Sequence, residues 1–199
     1  MPTYLFFNNN NNMACNLTLG RKEPCKDVVG GIKNIYFADF GTFATIAYNN
    51  TDTDLIDTLG SSLTVRKYEI KGNSSFEQNI TSSRENGTTF FEQTLNLTLH
   101  KLTKEDNKEL KLMAYGRPHV IVEDYNKNLF VMGLENGADV SGGTIVTGAA
   151  MGDLSGYTLT LSGMEKVPAN FIEKAAATET IVTTLTNAGI STITAGTNS

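Results

Sequence analysis

Apolar and polar positions alternate along most of this chain in short runs separated by glycine and asparagine, the signature of strands joined by tight turns. Ile32, Ile35, Phe37 and Phe40 punctuate a first strand; Gly41 breaks it, and Thr42–Tyr48 reads as the returning arm of a hairpin. Thr53–Leu59 is predicted as one short helical turn before Gly60. Ser62–Ile70 alternates without a clean apolar face, as a strand does near an edge or a subunit interface. A polar strand over Ser75–Ser83 leads to Asn86-Gly87, a dipeptide suited to the positive φ angles of a hairpin turn. In the return strand, Thr89–Leu99, Phe91, Gln93, Leu95, Leu97 and Leu99 share a core face, and Phe90, Glu92, Thr94, Asn96 and Thr98 a wet one.

A helix is predicted from the Thr103 cap to Tyr115. Glu105 and Asp106 suit its N-terminal dipole, Leu110, Met113 and Ala114 form its apolar stripe, and Gly116 and Pro118 end it. Val120–Asp124 and Leu129–Gly133 flank Tyr125-Asn126-Lys127-Asn128 as a second hairpin. From Glu135 to Gly156 the pattern gives way to a long loop with Gly137, Gly142, Gly143, Gly148, Gly152 and Gly156. Such a loop in a compact domain binds something or joins a partner. Tyr157–Gly163 reads as the final strand, and Pro168 ends regular structure. Residues 171–199 separate as an arm: Glu173–Thr180 has helical alanines, Ile181–Thr184 and Ile190–Ile193 prefer strands, and no charge follows Glu179. That composition suits adding strands to another subunit.

Composition sharpens this picture. Among 199 residues are 26 Thr, 20 Asn and 18 Gly, with no Trp and two His, a mixture that fits pleated sheets and turns and leaves little for acid–base or metal chemistry. The net charge of −5 argues against a surface built to hold nucleic acid or anionic membrane, and no apolar run approaches a bilayer's width. Met1–Asn12, with Tyr4-Leu5-Phe6-Phe7 before five asparagines, lacks the basic and apolar regions of a secretory signal. It is expected to be a disordered or mis-assigned extension before Met13. Cys15 and Cys25 match no zinc spacing and are expected as reduced thiols, although a disulfide closing their short loop is geometrically allowed.

Candidate chemistry is sparse. Phosphate-loop, dinucleotide-binding, zinc-protease and nucleophile-elbow motifs are absent. His100 closes a strand and His119 sits beside Pro118, places more typical of hydrogen-bonded boundary residues than of general bases. Glu135, Asp139 and Asp153 flank the glycine-rich loop, but their spacing reproduces no calcium loop and solvated carboxylates are the better reading. No catalytic residue, cofactor or metal is assigned. The candidate functional residues are those of a contact loop: Glu135, Asn136, Gly137, Ala138, Asp139, Gly142, Gly143 and Asp153.

Three stretches carry a resemblance: Leu129–Ala138, Met151-Gly152-Asp153-Leu154-Ser155-Gly156, and Tyr157 through Glu165-Lys166-Val167-Pro168-Ala169. Together they resemble the C-terminal half of bacteriophage tail-tube-like proteins. The segment from Ala14-Cys15 to Phe40, with Gly20-Arg21, Pro24-Cys25-Lys26-Asp27 and Gly30-Gly31-Ile32, is similar to virion proteins of phages infecting Bacteroidetes, including crAss-like phages. The resemblance implies a mainly β fold, a sandwich or barrel over 13–170 flanked by one helix at Thr103–Tyr115, with extended contact loops and 171–199 as an inter-subunit arm. It further implies a non-enzymatic virion protein, tail tube or neck/tail ring, closed into a six- or twelve-fold homo-oligomeric ring. Its partners would be itself and neighbouring tail, neck and portal-associated proteins, with phage DNA passing through unbound and no membrane. The alternative is a β-sandwich binding module, a head fibre or carbohydrate binder, expected to expose a cluster of aromatics. A wall hydrolase would need an acid–base pair, with Glu135 and Asp153 the residues to test.

Overall fold

The structure is a computed structural model that describes residues 20–22, 26–71, 73–174 and 179–196. Met1–Asn12, Cys15, Cys25 and residues 175–177 lie outside the described residues. The protein is mainly β, with two sheets and two helices among the described residues. The strands are β1 (Ile32–Ala38), β2 (Ala47–Tyr48), β3 (Leu55–Thr58), β4 (Leu63–Glu69), β5 (Ser75–Ser83) and β6 (Thr88–His100), then β7 (His119–Asp124), β8 (Leu129–Met132), β9 (Asp139–Val146), β10 (Gly156–Glu165), β11 (Asn170–Ile172) and β12 (Ile190–Ala195). Helix α1 (Lys104–Tyr115) lies between β6 and β7, and α2 (Ile181–Asn187) between β11 and β12.

Eight strands form one sheet in the order β12-β4-β1-β7-β8-β11-β3-β2, and four form a second in the order β5-β6-β10-β9. The larger sheet curls. Its β3 and β4 stand five positions apart, about 24 Å if the sheet were flat. Only residues 59–62 join them, a link that reaches at most about 18 Å. The curl closes where the Leu59 N–H donates to the Ala188 carbonyl at 2.9 Å and the Thr58 hydroxyl to the same oxygen at 3.2 Å. Gly189 makes this approach possible: its φ is +97°, and a Cβ there would run into the Gly60 carbonyl.

The curled sheet encloses one core and shares another with the smaller sheet. Tyr36, Val65, Ile121, Val131, Ile56, Ile172 and Leu185 fill the first. Ile35, Phe37, Val120, Val122 and Met132 pack with Leu95, Leu97 and Leu161 in the second. Strands β1 and β7 are buried on both faces along most of their length, which is why Ile35-Tyr36-Phe37-Ala38 and Val120-Ile121-Val122 are apolar runs and not alternation.

Both hairpins form where read; the first turns over four residues, 84–87, with Gly87 at φ +63° and Asn86 outside the positive-φ region. Helix α1 starts as read: the Thr103 hydroxyl accepts the Asp106 N–H at 3.0 Å and Leu110 is buried, while Ala114 turns to solvent.

Elsewhere the structure corrects the sequence reading. The hairpin of 32–40 with 42–48 does not form, because β4 and β7 already occupy both edges of β1; only Ala47–Tyr48 is strand, and it pairs with β3. Thr53–Leu59 is not a helical turn. Ile56 and Leu59 are fully buried, and β3 pairs in parallel with β11. Pro168 does not end regular structure, and residues 179–196 are not a separate arm. Ile181–Asn187 is helical because the Thr180 hydroxyl caps it, accepting the Thr183 N–H at 3.2 Å, and Leu185 is fully buried in the first core. Strand β12 does add to a sheet edge, but that edge is β4 of its own chain.

Candidate interaction surface

The glycine-rich stretch Glu135–Gly156 is not one loop. It divides into a tight turn over 133–138, strand β9, and a loop over 147–155. Gly143 serves close approach: a Cβ there would come to 2.5 Å from the Thr158 carbonyl of β10, whereas one on Gly142 would meet open space. Asp139, Gly142 and Gly143 thus lie in an edge strand. The triplet Thr144-Ile145-Val146 carried the strand signal that the surrounding glycines masked.

The turn is fixed from beneath. Glu165 is 3% exposed, and its Oε1 accepts the N–H groups of Glu135 (3.1 Å) and Asn136 (2.9 Å). Burial raises the Glu165 pKa above its ordinary value, against the lowering pull of those two bonds. Gly137 and Ala138 are buried: the Ala138 N–H donates to the Pro118 carbonyl at 2.9 Å, and Gly137 at φ +78° lies close over Arg117 and Phe40. They are internal, and of the four turn residues in the predicted set only Glu135 and Asn136 face solvent. Asp153 stands at the other end of β9 from Asp139, in the 147–155 loop. Its Oδ2 accepts the N–H groups of Ala149 (2.9 Å) and Ala150 (2.7 Å), which lower its pKa. The loop is thereby folded on itself and presents Met151 fully to solvent. The acidic residues of the predicted set therefore do not converge.

His119 is buried, not a boundary residue. Its ring stacks between Phe43 (4.4 Å between centroids) and Phe40 (5.1 Å). Nδ1 pairs with the Gly133 carbonyl at 2.6 Å and Nε2 accepts the Gly41 N–H at 3.0 Å, which sets the tautomer as Nδ1–H. Burial depresses its pKa. With both nitrogens bonded to backbone, the imidazole is a structural clamp.

The smaller sheet is the surface with unspent capacity. Among the described residues, its edges β5 and β9, nine and eight residues long, have no partner strand on their outer sides. Its four strands contain no lysine or arginine. Opposite the core it shows a largely polar face, where Thr160 donates to Asn96 at 3.0 Å and the Thr144 and Thr158 hydroxyls pair at 2.6 Å. Glu77, Glu92 and Asp139 supply its negative charge. On the core side two large apolar residues stay in water at the edges, Ile80 on β5 (69% exposed) and Ile145 on β9 (63% exposed). Beneath β5 the sheets splay, leaving a cleft of about 360 Å³ lined by Phe76 and Gln78 on one side and Ile32, Val122, Asp124 and Phe130 on the other. The exposed tyrosines Tyr48, Tyr115 and Tyr125 sit on β2, at the end of α1 and in the β7–β8 turn, and make no common platform.

No protein-family model, curated protein or solved structure matches this chain.

Proposed function

We propose that this protein is a structural subunit of a bacteriophage virion, a tail-tube or neck/tail ring protein, that closes into a homo-oligomeric ring through which DNA passes. The observation that carries this reading is the smaller sheet. All its neighbours are antiparallel and it has four strands, so β9 of one copy runs opposite to β5 of the next, and head-to-tail repetition continues one antiparallel sheet. Such a heterologous contact closes when the rotation between copies divides a full turn.

Strands about 4.8 Å apart and tilted as barrels require give a mean diameter of roughly 50 Å for six copies and roughly 100 Å for twelve. Either admits a DNA duplex. The face that would line the opening is mostly threonine, serine and asparagine, with Phe90, Met164 and the three carboxylates of Glu77, Glu92 and Asp139, so phosphates meet no cationic hold and the duplex slides. The Met151 loop and the β5–β6 turn lie at opposite ends of the strands, placed to touch further rings or neighbouring tail, neck and portal-associated proteins. Negative-stain microscopy of the purified protein at high concentration tests the reading. Annular particles with an open centre are the expected outcome; a monodisperse monomer overturns it.

A further inference from the structure

We infer that the partner for the cleft beneath β5 is β9 of a second copy of this chain, in a register that sets Ile145 opposite Phe76 and Val140 opposite Ile80. This rests on the ring reading and specifies its joint. Side chains alternate along a strand, so only even shifts bring core-side residues of both edges to the same face. Two such registers lay the whole of β9 along β5. In the first, Ile145 meets Phe76, Gly143 meets Gln78 and, past the bulge at Ser141, Val140 meets Ile80. In the second, shifted by two residues, Ile145 meets the Gln78 amide and Ile80 meets Gly143, leaving both isoleucines without an apolar partner.

The first register uses what a single copy leaves unused. Ile145 and Ile80, exposed on the edges of an otherwise well-packed sandwich, each gain an apolar neighbour. Ile145 enters the roughly 360 Å³ cleft between Phe76 and Phe130. Charge is compatible: Asp139 falls opposite Thr81 and Glu77 opposite Thr144, so the carboxylates of the two edges do not face each other. Neither edge carries the lysine or proline that blocks strand addition.

The sheet's internal stagger supports the same register. Phe76 pairs with Leu95, and Ile145 pairs with Tyr157, which pairs with Leu99; the two edge residues stand four residues apart along β6. Joining Ile145 to Phe76 therefore adds a shear of four residues for every four strands. One residue of shear per strand is the ratio that tilts a closed barrel by about 36°. The second register gives six residues per four strands and a steeper tilt of about 46°, at the upper limit of the usual range.

The test uses the full chain with Cys15 and Cys25 replaced by serine. Thr144→Cys with Glu77→Cys places thiols directly opposite in the first register; Thr144→Cys with Asn79→Cys does so in the second. All three sites are exposed. Mild oxidation of assembled protein is expected to give a ladder of cross-linked oligomers for the first pair, about tenfold stronger than for the second. A stronger ladder from the second pair overturns the register. Rings without a ladder from either pair overturn this joint while leaving the ring reading in place; absence of rings from the cysteine-free parent overturns the ring reading itself. Ile145→Lys, at an exposed position, is expected to keep the far-ultraviolet spectrum of the parent and lose the rings; rings that persist in this variant contradict the apolar docking.

Discussion

The residues that hold this fold are polar groups buried with their partners assigned. Glu123, 1% exposed, accepts from Asn34 Nδ2 at 2.6 Å and from the Tyr36 hydroxyl at 2.7 Å, with Lys33 Nζ at 3.4 Å. Removing the carboxylate leaves the amide and phenol donors buried and unpaired, so Glu123→Ala is expected to cost about 3 kcal/mol in a denaturant titration. His119 makes stability depend on pH. Burial lowers its folded pKa below the unfolded value, so the unfolded chain binds the proton more readily and stability falls as pH drops through 6.5. Glu165 acts in the opposite sense, because its raised pKa weakens the fold as pH rises above the usual carboxylate range. The difference between the parent and His119→Gln isolates the histidine: between pH 7 and 5 the parent is expected to lose stability faster than the variant. Parallel profiles would remove His119 as the cause. Neither clamp was legible beforehand, since a lone histidine or glutamate in sequence does not announce the carbonyl or amide waiting for it across the fold.

At the scale of elements, local chemistry was read where it decides the outcome and misread where tertiary pairing does. Asn86-Gly87 and Thr103 determine their turn and helix start from within a few residues, and both form where the sequence indicates. β3 looked helical because Thr53–Leu59 carries no clean alternation; its strand state comes from pairing with β11, more than a hundred residues away. β9 was hidden by Gly142 and Gly143, of which Gly143 serves contact with β10, and the C-terminal segment was taken for an arm because nothing local reveals that Leu185 and Ile190 fill the first core. The last point is testable. Deletion of residues 179–199 strips Leu185, Ala188 and Ile190 from that core, each at most 1% exposed, and is expected to abolish the cooperative thermal transition. A truncated chain that melts as the parent does would restore the detachable arm. Gly189→Ala, with φ at +97° and the Gly60 carbonyl in the way, is expected to destabilise by about 3 kcal/mol.

At the scale of the whole molecule, one sheet has two edges without a partner strand among the described residues and a largely polar face whose charged groups are carboxylates. Natural proteins protect long edges with charge, proline or a covering element, and β5 and β9 have one carboxylate each. Thr, Asn and Gly are abundant here because strands, turns and close backbone approaches consume the chain. Within the proposed ring the contact falls to the edge strand β9 and not to a loop over Glu135–Gly156, and Gly137 and Ala138 are inside the subunit. Native mass spectrometry over a concentration series tests the central claim most directly. Each copy weighs 21.6 kDa, and the account predicts one discrete closed species of about 130 kDa for six copies or about 260 kDa for twelve. A spectrum that stays at the monomer mass at every concentration, or that climbs through an open series with no favoured size, would contradict it.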